Sequence, residues 1–161
     1  GAALKTGTEY ALKNQADIII HFDADGQFMA EDIKNMITPL VLNQAEIVFG
    51  SRFLDNQGKF AMPAFKRAVI IPLAKIINRL LFNVSLTDPQ NGFRAMTKKA
   101  AGKLDWRQER MAHCSEILIE VINKNIKYKE IPVKIIYRDF GQKFSGGIKI
   151  LKDLLLAKLL N

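Results

Sequence analysis

The sequence is poor in cysteine and has no long apolar run, and both shortages narrow the possible classes of protein. Cys114 is the one cysteine among 161 residues, so an internal disulfide is excluded and a reducing compartment is expected. No stretch of about 18 uncharged apolar residues occurs, and we expect neither a membrane-spanning helix nor a signal peptide. Hydrophobic residues nevertheless make up 48% of the chain, which is enough for the core of one folded domain.

Acidic residues are scarce in the later part of the chain, so the net charge of +8 is unevenly distributed. Residues 1–50 carry three basic and seven acidic side chains, whereas residues 51–161 carry 21 basic and 9 acidic ones. Such a basic surface suits a phosphorylated substrate, an anionic membrane or a nucleic acid, although a plain soluble surface has the same composition. We expect no nucleic-acid binding, because the basic residues form no recognisable motif and aromatic stacking platforms are lacking.

Helical and strand periodicities alternate along the first part of the chain. Residues 1–14 and 30–42 predict helices, and residues 18–22 and 46–50 predict short strands that are buried on both faces. Because strand, helix and strand follow one another, we expect these two strands to pair in parallel through a right-handed crossover. Pro39 is expected to end or kink the second helix.

Shorter elements follow in the later part of the chain. They are a strand over 92–96, helices over 98–103 and 115–125, and a strand over 128–137 whose Pro132 indicates a sheet edge. The predicted fold class is α/β, with a mixed, mostly parallel sheet flanked by helices in one domain over residues 1–161.

An acidic turn follows the first predicted strand and is a candidate metal site. Asp23 and Asp25 lie one residue apart at the carboxyl end of this strand, where ligands bind in open α/β sheets. Their carboxylate oxygens, with the side-chain oxygen of Gln27, suit Mg²⁺ or Mn²⁺, which can bridge to a diphosphate. The alternative is an acidic turn that merely ends a strand, and the sequence leaves both open.

Other polar residues border the predicted strands. Arg52 follows the second buried strand and suits a phosphate, or is a plain surface arginine. The run from Asp88 to Arg94 forms either part of a site or a structural turn before a strand. Glu116 either favours a helix start or acts as a catalytic or orienting acid. His21, within an apolar strand, is expected to be a core histidine with its hydrogen bonds satisfied.

Four motifs in this order resemble glycosyltransferase family 2, in the branch of the dolichyl- and polyprenyl-phosphate sugar synthases. They are the strand and acidic turn of residues 20–27, the signature of residues 48–53, the run DPQNGFR of residues 88–94, and the late strand and basic loop of residues 130–145. The resemblance extends over nearly all of the chain. It implies a GT-A type, nucleotide-diphospho-sugar transferase fold, of which this chain is expected to hold a part.

The resemblance also implies a role for each matching residue. Asp23, Asp25 and Gln27 are implied to hold Mg²⁺ or Mn²⁺ and, through it, the donor diphosphate. Asp88 and Arg94 are implied to shape the acceptor side of the site. Basic side chains are implied to bind the substrate phosphates, namely Arg52, Lys66, Arg67 and Arg138.

The sequence departs from the family at its start. Relatives open with a strand carrying a Val-Pro-x-x-Asn-Glu-type motif, which reads the nucleotide base, and no such segment occurs here. We therefore expect a chain that lacks the first half of its nucleotide pocket and that has weak or no activity by itself. Residues 144–147 also differ from the Ser-Lys pair common in relatives near this point.

Two basic amphipathic segments, residues 63–82 and 148–160, predict helices that lie at a membrane surface. Ordinary helices packed on the sheet are the alternative. If the acceptor is a lipid phosphate and these helices lie at the membrane surface, we expect the protein on the cytoplasmic face of a membrane. It would be attached peripherally or anchored by segments outside this chain.

The leading functional hypothesis is metal-dependent, inverting transfer of a sugar from a nucleotide-diphospho-sugar to a polyprenyl phosphate, for cell-envelope glycans or protein glycosylation. A phosphate acceptor is already ionised and needs little help from a base. A first alternative is transfer to a sugar hydroxyl in surface polysaccharide synthesis, for which Asp88 is the most plausible base. A second alternative is a non-catalytic, membrane-associated domain.

Overall fold

The computed structural model describes residues 1–54, 86–107 and 113–136, which form an α/β unit. Its elements in chain order are α1 (Ala2–Lys13), β1 (Ile18–His21), α2 (Asp32–Val41), β2 (Ile47–Ser51), β3 (Arg94–Thr97), α3 (Lys98–Lys103), α4 (His113–Asn123) and β4 (Tyr128–Pro132). Each predicted helix and strand in these ranges is present and starts within two residues of its expected position, but the last strand ends at Pro132 and is shorter than the predicted 128–137. No helix in the described ranges is long and apolar enough to cross a membrane.

The four strands form one mixed sheet in the order β1-β3-β2-β4. Strand β3 runs antiparallel to both β1 and β2, whereas β2 and β4 pair in parallel. The sheet is mixed, as predicted, and three of its strands point the same way, but two of its three pairings are antiparallel rather than mostly parallel. Strand β4 lies at the sheet edge, as its proline indicated. The expected direct pairing of β1 with β2 is wrong, because β3 is inserted between them.

Pro39 does not end α2, which continues to Val41. The proline lies in the last turn, where its missing N–H removes a single helical hydrogen bond. Its carbonyl oxygen accepts hydrogen bonds from the backbone N–H groups of Gln44, at 2.8 Å, and Ala45, at 3.3 Å. The proline thus helps to close the turn that leads into β2.

Each face of the sheet has its own apolar core, because successive strand residues point to opposite sides. The core beneath α1, α3 and α4 includes Ile19, Ile47, Phe49, Met96, Ala101, Ile117 and Val121. The core beneath α2 includes Met36, Leu40, Val48, Phe93, Ala95 and Val133. These two cores fix the sheet between helical layers and hold its strand ends in place.

The register brings four chain segments together at one end of the sheet, where β1, β2 and β4 end and β3 begins. His21 at the end of β1 lies opposite Arg94 at the start of β3, and Phe49 of β2 also lies opposite Arg94. Ser51 at the end of β2 lies opposite Pro132 at the end of β4. The loops that follow β1, β2 and β4 therefore converge with the loop that leads into β3.

Candidate active site

The converging loops bring most of the predicted site residues within the described ranges together. Asp23 follows β1, Arg52 follows β2, and the run from Asp88 to Arg94 leads into β3. Lys66, Arg67 and Arg138 lie outside the described residues, as do the two segments predicted to contact a membrane, residues 63–82 and 148–160.

Gly92 packs directly against the carboxylate of Asp23. A Cβ atom placed on Gly92 would lie 2.5 Å from Oδ2 and 3.3 Å from Cγ of Asp23, and Cβ atoms do not approach other atoms as closely as 2.5 Å. Any larger residue at position 92 would therefore displace this carboxylate. The Asp88–Arg94 run thus forms one wall of the acidic turn.

The acidic turn is held by its own hydrogen bonds. Oδ1 of Asp25 accepts a hydrogen bond of 2.9 Å from the backbone N–H of Gln27, and Gly26 between them has a φ of 73°. This left-handed conformation favours glycine, since it strains residues that carry a Cβ. The carbonyl oxygen of Gln27 accepts the N–H of Ile136 at 2.9 Å, which ties the turn to the segment after β4.

The residues of this turn suit a hard divalent cation. Asp23 and Asp25 are exposed, and Gln27 is half-buried beside them. Mg²⁺ is commonly bound by one or two carboxylates together with substrate phosphates, and this turn offers two carboxylates and an amide oxygen. In the described ranges, no group of three or more His, Cys, Asp or Glu side chains could hold a metal. The fit therefore depends on the acidic turn, and its ligand role stays a prediction.

Arg52 and Asp88 form a two-pronged ion pair that the sequence did not predict. Nε and Nη2 of Arg52 donate to the two carboxylate oxygens of Asp88 at 2.6 and 2.7 Å. The backbone N–H of Arg52 and the side-chain amide of Asn91 also donate to Oδ2 of Asp88, at 3.1 and 3.2 Å. The Asp88 side chain is 2% exposed and that of Arg52 is 27% exposed, so the arginine forms the solvent side of the pair.

Glu130 on β4 is a further residue near these loops. The sequence analysis assigned no role to it. Its Oε1 accepts hydrogen bonds from the backbone N–H of Thr87 (2.8 Å), the hydroxyl of Thr87 (3.0 Å) and the backbone N–H of Asp88 (3.2 Å). The Thr87 hydroxyl also lies 2.5 Å from that of Ser51. Burial raises the pKa of the Glu130 carboxyl above its usual range, and the nearby Asp88 charge adds to this. The signal in the sequence was the Glu-Ile-Pro-Val motif.

Arg94 braces the same loop from the interior of the protein and is 1% exposed. Its Nε donates to the carbonyl oxygen of Gly92 at 3.4 Å, and its Nη2 donates to that of Asn91 at 3.3 Å. Nη2 also lies 3.1 Å from the sulfur of Cys114 on α4. The predicted influence of Arg94 on the acceptor side would therefore act through the loop backbone.

His21 is a core residue, as predicted. It is 3% exposed, its Nε2 lies 2.9 Å from the Thr8 hydroxyl, and its ring meets that of Trp106 edge-on with 5.9 Å between centroids. Its Nδ1 is buried without a hydrogen-bond partner, so the side chain is satisfied on one nitrogen only. Burial, and then the positive charges of Arg94 and His113, lower the pKa of His21 to about 3.

Glu116 lies in the first turn of α4, where its charge complements the helix dipole. Both of its carboxylate oxygens lie 3.0 Å from the backbone N–H of Arg107, which donates to them. This contact joins the start of α4 to the loop that precedes it. This position agrees with the helix-start interpretation of Glu116, and its alternative role as a catalytic or orienting acid stays a prediction.

These acidic and basic groups lie at the carboxyl ends of the strands, where ligands bind in open α/β sheets. The chain belongs to glycosyl transferase family 2, whose family model matches residues 1–105, and it is thus a glycosyltransferase. The predicted family and the α/β fold class are confirmed.

Two of the following three relatives carry names from the branch that the motifs indicated. The chain is 34% identical to an uncharacterized protein of Methanocaldococcus jannaschii, with 99% of this chain and 68% of that protein aligned. It is 35% identical to the UDP-N-acetylglucosamine–dolichyl-phosphate N-acetylglucosaminyltransferase of Methanococcus voltae, over 99% and 65% of the two chains. It is 25% identical to the polyprenol monophosphomannose synthase of Mycolicibacterium smegmatis, over 91% and 56%. The chain thus spans from over half to about two thirds of the length of these relatives.

Proposed function

We propose that the protein transfers a sugar from a nucleotide-diphospho-sugar to a polyprenyl phosphate. The main support for this proposal is the close packing of Gly92 against the Asp23 carboxylate. This contact places the acidic turn beside the loop that contains Asp88. Two of the relatives are named as transferases or synthases of dolichyl or polyprenyl monophosphate sugars, which supports the same class of acceptor.

The donor diphosphate would be bound at the acidic turn. Asp23, Asp25 and Gln27 would hold Mg²⁺ or Mn²⁺, which neutralises negative charge on a leaving diphosphate. The hydrogen bond from Gln27 to Asp25 fixes the orientation of one carboxylate before the substrate binds. Gly92 leaves the space in which the Asp23 carboxylate lies. The chain thereby supplies a preorganised anionic turn at the leaving-group side.

The acceptor phosphate would be bound by Arg52. Asp88 fixes the plane of the guanidinium with two short hydrogen bonds, and the partly exposed arginine faces solvent. An oxygen of the acceptor phosphate then attacks the anomeric carbon as the bond from that carbon to the diphosphate breaks. Attack from the face opposite the leaving group inverts the configuration. The products are a polyprenyl-phosphate sugar and a nucleoside diphosphate, and no proton has to be removed from the acceptor.

The contacts of Asp88 favour this acceptor over a sugar hydroxyl. A hydroxyl acceptor needs a base within reach, yet the Asp88 side chain is 2% exposed and its oxygens accept hydrogen bonds from Arg52 and Asn91. A phosphate acceptor avoids this requirement, since it is ionised at neutral pH. We further propose that the reaction takes place at the cytoplasmic face of a membrane, where a polyprenyl phosphate presents its head group.

The test compares two acceptors in one reaction. The full-length protein is supplied with Mg²⁺ or Mn²⁺, a panel of nucleotide sugars, a polyprenyl phosphate in detergent or liposomes, and a water-soluble oligosaccharide. We expect sugar to appear on the lipid phosphate, and we expect the protein to float with liposomes. Transfer to the oligosaccharide alone, or no transfer from any donor, would contradict the proposal.

A further inference from the structure

Glu130 is a carboxylate that the proposed chemistry does not use, although it lies beside the site. It stands on β4 opposite Phe49 of β2, in the parallel register that also places Pro132 opposite Ser51. Its Oε1 accepts three hydrogen bonds, two from Thr87 and one from the backbone N–H of Asp88. One oxygen atom of a strand side chain therefore fixes Thr87 and Asp88 in the segment that leads to β3.

A continuous series of hydrogen bonds leads from Glu130 to the guanidinium of Arg52. Glu130 holds the backbone of Asp88, and the Asp88 carboxylate accepts both the backbone N–H and the side-chain Nε and Nη2 of Arg52. The Thr87 hydroxyl adds a second link, since it lies 2.5 Å from the Ser51 hydroxyl next to Arg52. The Asp88 loop is thus attached both to β4 and to the end of β2.

The location of Glu130 makes these bonds hard to replace by water. The side chains of Glu130 and Thr87 are half-buried, and that of Asp88 is buried. Without an acceptor at position 130, two backbone N–H groups would lose their partner in a poorly hydrated place, so the loop would shift to find others.

We propose that Glu130 is a positioning residue that sets Asp88 and, through it, Arg52 for binding of the acceptor phosphate. The identity of the bound group, an acceptor phosphate, rests on the proposed function. The positioning of Asp88 and Arg52 rests on the hydrogen bonds alone. In this proposal Glu130 acts through the loop, because its Oε1 is bonded to Thr87 and Asp88.

Two substitutions of Glu130 distinguish the effect of its hydrogen-bonding oxygen from the effect of the whole side chain. Glu130→Gln keeps an oxygen that can accept the N–H groups of Thr87 and Asp88, whereas Glu130→Ala removes it. The matched control is Lys129→Ala on the same strand, which removes one exposed hydrogen bond of 2.9 Å to Gln44. A role limited to strand stability would affect the two alanine variants in a similar way.

The kinetic test measures sugar transfer by the full-length protein. We expect Glu130→Ala to lower kcat/KM for the acceptor by about tenfold or more, because small misplacements of a binding group are enough for such losses. Glu130→Gln should restore most of the activity, and Lys129→Ala should leave it unchanged. In an Asp88→Ala background, Glu130→Ala should cause no further loss. Additive losses, or a Gln variant as poor as the Ala variant, would overturn the proposal.

A second measurement does not depend on transfer. Backbone hydrogen exchange in Glu130→Ala should become about tenfold faster at Asp88 and at Arg52, whose N–H donates to Asp88. Exchange in α4 should stay as in the wild type. Unchanged exchange at Arg52, or faster exchange throughout the protein, would refute the positioning role. If the wild type transfers no sugar, the proposed function fails, while the exchange data still decide whether Glu130 positions Asp88 and Arg52.

Discussion

Replacing Gly92 with alanine probes the acidic turn from outside, without changing either carboxylate. The new Cβ would lie 2.5 Å from Oδ2 of Asp23, whereas real contacts of this kind begin near 3.0 Å. The carboxylate must therefore retreat by roughly 0.5–0.9 Å, and a turn of its side chain away from a preferred rotamer costs about 0.5–1.5 kcal/mol. The backbone at Gly92 imposes no further strain, because Gly26 is the one described glycine with a positive φ.

The functional effect should be much larger than this effect on stability. A metal ligand works within about 0.2 Å of its ideal distance, and a misplacement near 1 Å can lower a rate by about 100-fold. We expect Gly92→Ala to reduce the transfer rate about 10- to 100-fold and to raise the Mn²⁺ concentration needed for half-maximal activity. The free energy of unfolding should fall by no more than about 1.5 kcal/mol.

The assay pairs initial rates at a series of Mn²⁺ concentrations with urea unfolding of the same protein. Gly102→Ala is the control, since a Cβ there has no atom within 4 Å and lies in helix α3, where alanine is favoured over glycine. Wild-type metal dependence in Gly92→Ala would refute the link between the glycine and the Asp23 carboxylate. A loss of activity that only matches the unfolded fraction would refute it equally.

Two other expectations concern stability. His21 has a pKa of about 3 in the native state and near 6.5 in the unfolded chain, so only the unfolded chain binds a proton there as the pH falls from 7 to 5. The free energy of unfolding should therefore fall by about 2 kcal/mol over this range. Urea unfolding of His21→Asn, which lacks this group, should show a weaker pH dependence over that range, and an equal dependence would count against the burial argument. Arg52→Lys should lower the free energy of unfolding by about 1–3 kcal/mol, because the buried Asp88 loses a two-pronged donor. Unchanged urea unfolding would show that the two-pronged geometry contributes nothing to stability.

The sequence was sufficient for the elements but not for their pairing. Short continuous apolar runs located β1 and β2 and the polar residues after them, because such runs, bounded by turn residues, indicate buried strands. The sequence could not show that β3 lies between these strands. Arg94 lies more than 40 residues beyond the end of β2, and the residues of a short strand do not specify which strands pair with it.

The contacts within the site depend on the same long-range pairing. Arg52 and Asp88 are 36 residues apart, and Thr87 and Glu130 are 43 residues apart. Arg52 and Asp88 could be singled out as polar residues near a strand, yet the bonds among these four residues follow from the pairing of β2 with β3 and with β4. The proximity of Gly92 to Asp23 likewise follows from the pairing of β1 with β3.

The central proposal is that Asp23 and Asp25 hold a divalent cation that binds the donor diphosphate. Calorimetric titration of a nucleoside diphosphate into the full-length protein, with and without Mn²⁺, tests it most directly. We expect Mn²⁺ to strengthen binding about tenfold or more in the wild type and in the control Asp17→Asn, which changes an exposed carboxylate before β1. Asp23→Asn and Asp25→Asn should lose this gain. An equal gain in these two variants, or no effect of Mn²⁺ on the wild type, would contradict the proposal.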